Sequence, residues 1–196
     1  LPNAYSFAPS VVSAFLAATA TKVAYYFLVR VIFTLFGVVF VFETMGLQAV
    51  LLPLSIVAMF VGSIAAIYQT DLKRLLAYSS IAHAGYMMMG IVMLSSAGLQ
   101  AIMFYTAVYL FMNLGAFLVV IMIAERTGSE DISEYRGLGW RSPFVAAAMA
   151  VFLASLTGLP PTAGFVGKVY LFASVVEGGL WWLAVVGVAN SAVSLY

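Results

Sequence analysis

Apolar residues fall in six long runs separated by short polar punctuation. The first goes from about Val11 to Phe36, after a lead-in carrying Pro2 and Pro9, and a connection from about Gly37 to Gly46 that holds Glu43 follows it. The second covers roughly Leu47 to Tyr68 and ends at Gln69-Thr70-Asp71-Leu72-Lys73-Arg74. The third runs from about Leu75 to Leu94 and turns at Ser95 to Gly98, and the fourth spans about Ala101 to Ala124. The long polar stretch Glu125 to Arg141 comes next. The fifth run begins at Pro143, a residue suited to a first helical turn, is interrupted between Thr157 and Gly164, and resumes to about Val176; the sixth begins near Gly179. A helix needs about 20 mainly apolar residues to span a bilayer, whereas strands of a membrane barrel alternate over about 10 residues. These runs are long and do not alternate. The pattern predicts an all-α, polytopic transmembrane bundle of about six helices, one of them broken.

Composition makes lipid the solvent. With 65% hydrophobic residues, 8% charged residues and a mean hydropathy of +1.12, the chain has too few charges to cover a water-exposed surface. A net charge of +1 argues against nucleic acid as a partner. Absence of cysteine excludes disulfides, thiolate catalysis and cysteine-ligated clusters, and the single histidine, His83, cannot furnish a bis-histidine haem site. No metal or cofactor site is expected. The chain opens at Leu1 and stops at Tyr196 inside an apolar run, so it is expected to be a fragment of a longer protein. Numbering the connections alternately puts Lys73, Arg74, Arg126, Arg136 and Arg141 on one side and only Glu43 and Glu177 on the other. By the positive-inside rule the lead-in and the 125–141 stretch are expected in the cytoplasm. Arg30, deep in the first run, can snorkel to the opposite interface.

Three ionisable residues lie where lipid would penalise them. Lys22 is near the middle of the first run, where a lysine costs about 2.5–3.5 kcal/mol on insertion scales, so it should face protein or water. Thr19, Tyr25 and Tyr26, three or four positions away, are expected to share its face. The competing role is a lysine bonded to a carbonyl that holds helices together. Lys168 follows the breaker cluster Gly158, Pro160, Pro161 and Gly164 by one turn; broken helices at membrane depth are tolerated where they are buried or line water, and recur at transporter ion sites. The plainer alternative is a kink with Lys168 near an interface. His83 has Ser79 and Ser80 a turn before it and Tyr86 a turn after, which suits a proton path; a core histidine satisfied by serine is the alternative. Tyr105, Tyr109 and Asn113 recur every four positions as a polar stripe, which either lines water or glues helices. The mixed charges Glu125, Arg126, Glu130, Asp131, Glu134 and Arg136 fit a solvated surface or a subunit contact. The apolar runs themselves contain no carboxylate, so a partner for Lys22 is expected elsewhere.

Several strings together resemble a known family. Leu1-Pro2-Asn3-Ala4-Tyr5 through Pro9-Ser10 and then Thr21-Lys22, Asp71-Leu72-Lys73-Arg74 through His83-Ala84-Gly85-Tyr86, and Gly158-Leu159-Pro160-Pro161-Thr162-Ala163-Gly164 through Lys168 resemble the antiporter-like, proton-conducting membrane subunits of respiratory complex I. Asn113 to Phe117 and Tyr135 to Leu138 look most like the N-type subunits within that group, while Thr19 to Val23 also resembles the D-type subunits of multisubunit Na⁺/H⁺ antiporters. The resemblance covers essentially the whole chain. It implies part of a fold of roughly fourteen helices with two inverted five-helix repeats, with residues 1–196 belonging to one conducting domain and about 47–196 forming most of the second repeat. It further implies that Lys22 is a bridging lysine between half-channels, His83 a relay residue of the central axis, and Lys168 the basic residue on the second broken helix. The family's early carboxylate and its paired lysine would precede Leu1.

The function so implied is proton translocation in an energy-transducing, prokaryotic cytoplasmic membrane, through Lys22, Lys168, His83 and water. Thr19, Tyr26, Ser79, Ser80, Tyr86, Tyr109 and Asn113 are the expected supporting path. The expected partners are other membrane subunits of the complex, the bilayer and protons, with NADH and quinone bound by other subunits. The alternatives are a subunit of a Na⁺/H⁺ antiporter or of a membrane-bound hydrogenase, driven without this redox chemistry in the first case, and a structural membrane scaffold whose polar residues only join helices.

Overall fold

The computed structural model describes residues 2–37, 40–93 and 95–195. Leu1 of the lead-in, Val38 and Val39 of the first connection, Leu94 at the end of the third run and Tyr196 lie outside it. Helix α1 (Pro2–Phe7) stops before Pro9, and α2 (Ser10–Arg30) continues through π turns over Val31–Phe36 to Gly37. After a further π turn at Phe40–Thr44 come α3 (Leu47–Ile67), α4 (Leu72–Val92) and α5 (Ser96–Thr127). A 3₁₀ turn (Ile132–Tyr135) and the single turn α6 (Leu138–Arg141) lead into α7 (Pro143–Thr157), α8 (Ala163–Glu177) and α9 (Trp181–Val193). Among the described residues there is no named strand, and four spans are long and apolar enough to cross a bilayer: Ser10–Phe36, α3, α4 and α5. The broken pair α7/α8 and the shorter apolar α9 complete the six expected runs.

Helix starts differ from the sequence expectation by a few residues, for a local reason. Asp71 caps α4 by accepting from the Arg74 backbone N–H at 2.8 Å, which draws Leu72, Lys73 and Arg74 into the first turn. Ser95 does the same for α5 through the Gly98 N–H at 3.0 Å. The stretch 125–141 is likewise not one loop, because its first three residues finish α5 before Gly128 ends it with φ +73°.

The bundle is arranged as lipid requires. α4, the least apolar of the four long spans, is the most buried, while α3, among the most apolar, is among the least. α4 and α5 form the centre: α4 packs on α3, α5, α8 and α1, and α5 packs on α2, α7 and α8. Small residues allow the close approach between α3 and α4. A Cβ placed on Gly62 would fall 2.5 Å from the Ala82 backbone N, and one on Gly85 would fall 2.7 Å from the Ser55 carbonyl oxygen.

At the lysine- and arginine-rich end a strap closes the bundle. The Leu72 N–H donates to the Glu130 carbonyl (3.1 Å) and the Ile132 N–H to that of Thr70 (2.9 Å). Glu130 accepts from Lys73 at 3.1 Å and from the Ser10 hydroxyl at 2.6 Å, while Lys73 also donates to the Ala8 carbonyl at 2.7 Å. The mixed-charge stretch thus joins α2 and α4. Ser133 hydrogen bonds hold the Asp131 carboxyl below its ordinary pKa, and burial pushes the Tyr135 phenol up to about 12. Glu130→Ala removes the Lys73–Glu130 ion pair and is expected to cost about 1.5–3 kcal/mol, the worth of a charged hydrogen bond. A lowered midpoint of thermal aggregation in detergent is the measurement; an unchanged midpoint contradicts it.

Candidate functional site

The break between α7 and α8 creates the position of Lys168. Gly158, at φ +86°, ends α7 in the left-handed region, and a side chain there would also meet the Lys168 stem at 2.9 Å. Thr162 restarts the chain as the N-cap of α8. Gly164 lets the two halves close: its N–H donates to the Ser155 hydroxyl at 3.1 Å, and a Cβ would collide with the Ser155 carbonyl. The Lys168 ammonium, 3% exposed as a residue, donates to the Thr157 carbonyl at 2.8 Å. That carbonyl is among the last four of α7, which have no intrahelical donor and form the negative end of its dipole. The cation therefore fills a position that the helix break produces. Because the collision at Gly164 is with backbone, Gly164→Ala is expected to cost about 1–3 kcal/mol of overpacking strain, read as reduced yield of folded protein in membranes; normal yield and thermal midpoint contradict this.

From Lys168 a hydroxyl chain leads inward. Its ammonium also donates to the Ser191 hydroxyl (3.1 Å), which is 2.9 Å from the Tyr86 hydroxyl. The Asn190 amide donates to Tyr86 Oη at 2.9 Å and to the Ser63 hydroxyl at 3.0 Å. Lys168 Nζ stands 4.6 Å from the centre of the Tyr86 ring, a cation–π contact.

His83 occupies the middle of the bundle with rings around it. Its Nδ1 is 2.6 Å from the Tyr105 hydroxyl, and its ring centre lies 4.8 Å from that of Tyr109 and 6.1 Å from that of Tyr86. Ser80 bonds the Tyr109 hydroxyl at 2.7 Å and donates to the Leu76 carbonyl at 3.0 Å. Lys22 also sits against Tyr109, its ammonium 3.7 Å from the ring centre and donating to the Ala17 carbonyl and the Thr21 hydroxyl, each at 2.8 Å. Lys22, Tyr109, His83, Tyr86 and Lys168 thus form one buried file across α2, α5, α4 and α8. One turn from Tyr109, the fully buried Asn113 amide has no partner for either polar atom among the described residues. Such surplus hydrogen-bonding capacity suits a wet interior.

The structure divides the face expected around Lys22. Tyr25 is buried and donates to the Ala84 carbonyl at 2.5 Å, but Tyr26 is 65% exposed and Thr19 bonds its own helix at the Phe15 carbonyl. The reason is angular. Positions i−3 and i+4 lie on one flank of a helix and i+3 on the other, and α2 buries the flank of Ala18, Tyr25 and Val29. Tyr26 instead lies beside Arg30, at 6.0 Å.

A cavity of about 430 Å³ reaches from Gln69 and Leu72, at the strap end, past Ser79 to His83, Tyr86 and Lys168. No cluster of metal-ligating side chains occurs among the described residues. The site includes residues that the sequence reading did not single out: Ser63, Thr157, Asn190 and Ser191. Asn190 and Ser191 are adjacent polar residues within an apolar helix, a signal present in the sequence, whereas Thr157 acts only through its backbone.

Residues 1–194 match the family described as NADH:quinone oxidoreductase/Mrp antiporter, TM. NADH-quinone oxidoreductase subunit N of Anaeromyxobacter sp. (strain Fw109-5) is 57% identical over 155 residues, which cover 76% of this chain and 30% of that protein. The chain thus spans about three tenths of that relative's length. Among solved structures, a chain of respiratory complex I from Thermus thermophilus with bound Aureothin is 35% identical with a TM-score of 0.82, over 100% of this chain and 42% of that one. A chain of the Mrp complex from Dietzia sp. DQ12-45-1b is 26% identical with a TM-score of 0.89, over 100% of this chain and 36% of that one.

Proposed function

The chain belongs to the NADH:quinone oxidoreductase/Mrp antiporter transmembrane family, and from that premise we propose that it is the part of a proton-translocating subunit that carries protons between Lys22 and Lys168. The observation that carries the reading is the buried file itself. Two ammonium groups, 6% and 3% exposed as residues, stand at its two ends, and neither is ion-paired with a carboxylate among the described residues. Permanent burial of two unpaired cations is costly. Amines that load and release a proton, with hydroxyls, an imidazole and water between them, turn that cost into a working property.

In this reading the protein acts as a subunit of NADH:quinone oxidoreductase, and NADH and quinone bind to other subunits. This chain contributes no redox group or cofactor. It lies in a prokaryotic cytoplasmic membrane with the lead-in and the strap on the cytoplasmic side, as the lysine and arginine distribution supports. The cavity from Gln69 to Lys168 then opens toward the cytoplasm and serves the second broken helix. The segment from about residue 47 to 196 then forms most of the second inverted repeat.

Likeness to the Mrp chain supports a second reading, a subunit of a Na⁺/H⁺ antiporter. The two separate on one measurement. Full-length protein in its native complex, in inverted membrane vesicles, is given NADH and quinone and the internal pH is followed. NADH-driven acidification that persists without sodium supports the first reading. Acidification absent with NADH, together with pH changes driven by a sodium gradient alone, replaces it with the second.

A further inference from the structure

The Tyr86 hydroxyl has more neighbours than one hydroxyl proton can serve, and this sets up two arrangements. Asn190 has two N–H groups, one given to Tyr86 Oη and the other to Ser63. Tyr86 must therefore accept from Asn190, and its own proton goes either to the Gly187 carbonyl at 3.2 Å or to Ser191 at 2.9 Å. Ser191 is the only one of these groups that also touches Lys168 in the described structure.

The charge on Lys168 selects between the two. A charged Lys168 has no lone pair, so it donates to Ser191; Ser191 then donates to Tyr86, and Tyr86 donates to Gly187. Once Lys168 has lost a proton to water in the cavity it lines, its amine accepts. Ser191 turns to donate to it, and Tyr86 turns from Gly187 to donate to Ser191. Only hydroxyl rotors move in this second arrangement. No covalent bond changes beyond the N–H given up to water. We propose that the Tyr86 hydroxyl is a two-position hydrogen-bond switch, set by the charge on Lys168 through Ser191 and anchored by the Asn190 amide.

The switch rests on the reading of Lys168 as a proton-exchanging group and extends it. The Tyr86 ring lies beside His83, with centres 6.1 Å apart. Reversal of the hydroxyl dipole therefore carries the state of Lys168 to the middle of the file without a proton travelling the whole distance. Asn190 is a positioning residue here: it keeps Tyr86 an acceptor in both arrangements, so that the hydroxyl proton alone changes place.

Infrared difference spectroscopy of the full-length protein in its native complex tests this, using a pH step that deprotonates Lys168 and ring-labelled tyrosine to mark the C–O stretch. A tyrosine difference band is expected in the wild type and in Ser191→Thr, which keeps the hydroxyl. The band should vanish in Tyr86→Phe, Ser191→Ala and Lys168→Met. No tyrosine band in the wild type, or a band undiminished in Ser191→Ala, overturns the switch. Proton transport is measured on the same membranes. Normal transport in Lys168→Met overturns the underlying proton reading; blocked transport in Lys168→Met with an unaltered band in Ser191→Ala overturns the switch alone.

Discussion

Replacing Lys168 with methionine is expected to lower proton transport by the assembled complex by about 100-fold or more, the scale on which a positioned proton-transfer group contributes, while the protein still inserts and assembles. Methionine is chosen because it fills a similar volume with an unbranched, adaptable side chain. The Thr157 carbonyl loses its donor (2.8 Å in the wild type) at a cost of about 1–3 kcal/mol, while Ser191, which also loses the lysine, keeps the Tyr86 hydroxyl 2.9 Å away. Removing a buried cation works in the other direction, since an apolar group of like volume is often tolerated better than a buried charge. The two terms are of similar size, so folding is expected to survive. NADH-driven acidification of inverted vesicles, scaled to complex abundance on native gels, is the measurement. Near-wild-type acidification would leave Lys168 as a cap on the end of α7 and nothing more.

How far this site was legible in the sequence depends on which interaction set each residue's place. Lys22, Lys168 and the Gly158–Gly164 break stood out because a bilayer penalises cations and broken backbone wherever they occur, and that penalty needs no knowledge of neighbours. Run lengths gave the six crossings for the same reason. Tyr25 and Tyr26 could not be told apart: both are a turn from Lys22, and the packing of α2 on α5 decides which is buried. Tyr105 was visible as part of a stripe that recurs every four positions, but its bond to His83 joins two helices and has no local sign. Asn190 and Ser191 lie more than 100 positions from Tyr86, so only the folded bundle shows that they bond it. The mixed-charge stretch from Glu125 to Arg136 read as a solvated surface or a subunit contact, and the ties of Glu130 to Lys73 and Ser10 across the bundle have no local sign.

At the other end of the file, Lys22→Arg is expected to stop proton transport as completely as Lys22→Met, and that equality is the informative result. Two roles fit the position of Lys22. As a structural group it donates to the Ala17 carbonyl of its own helix and holds α2 to α5 through the face of Tyr109, 3.7 Å away. As a relay it must also let its proton go. Arginine serves the first role at least as well, since guanidinium donates more hydrogen bonds and stacks readily on aromatic rings. It fails the second, because a guanidinium does not lose its proton in a protein. A structural lysine therefore predicts recovery in Lys22→Arg and loss in Lys22→Met, whereas a relay predicts loss of about 100-fold or more in both. Arginine is larger, so assembly is measured first, and transport is scaled to the assembled fraction. Recovery of transport in Lys22→Arg would remove Lys22 from the proton path. The file would then begin at Tyr109 and His83, with Lys168 as its remaining ammonium.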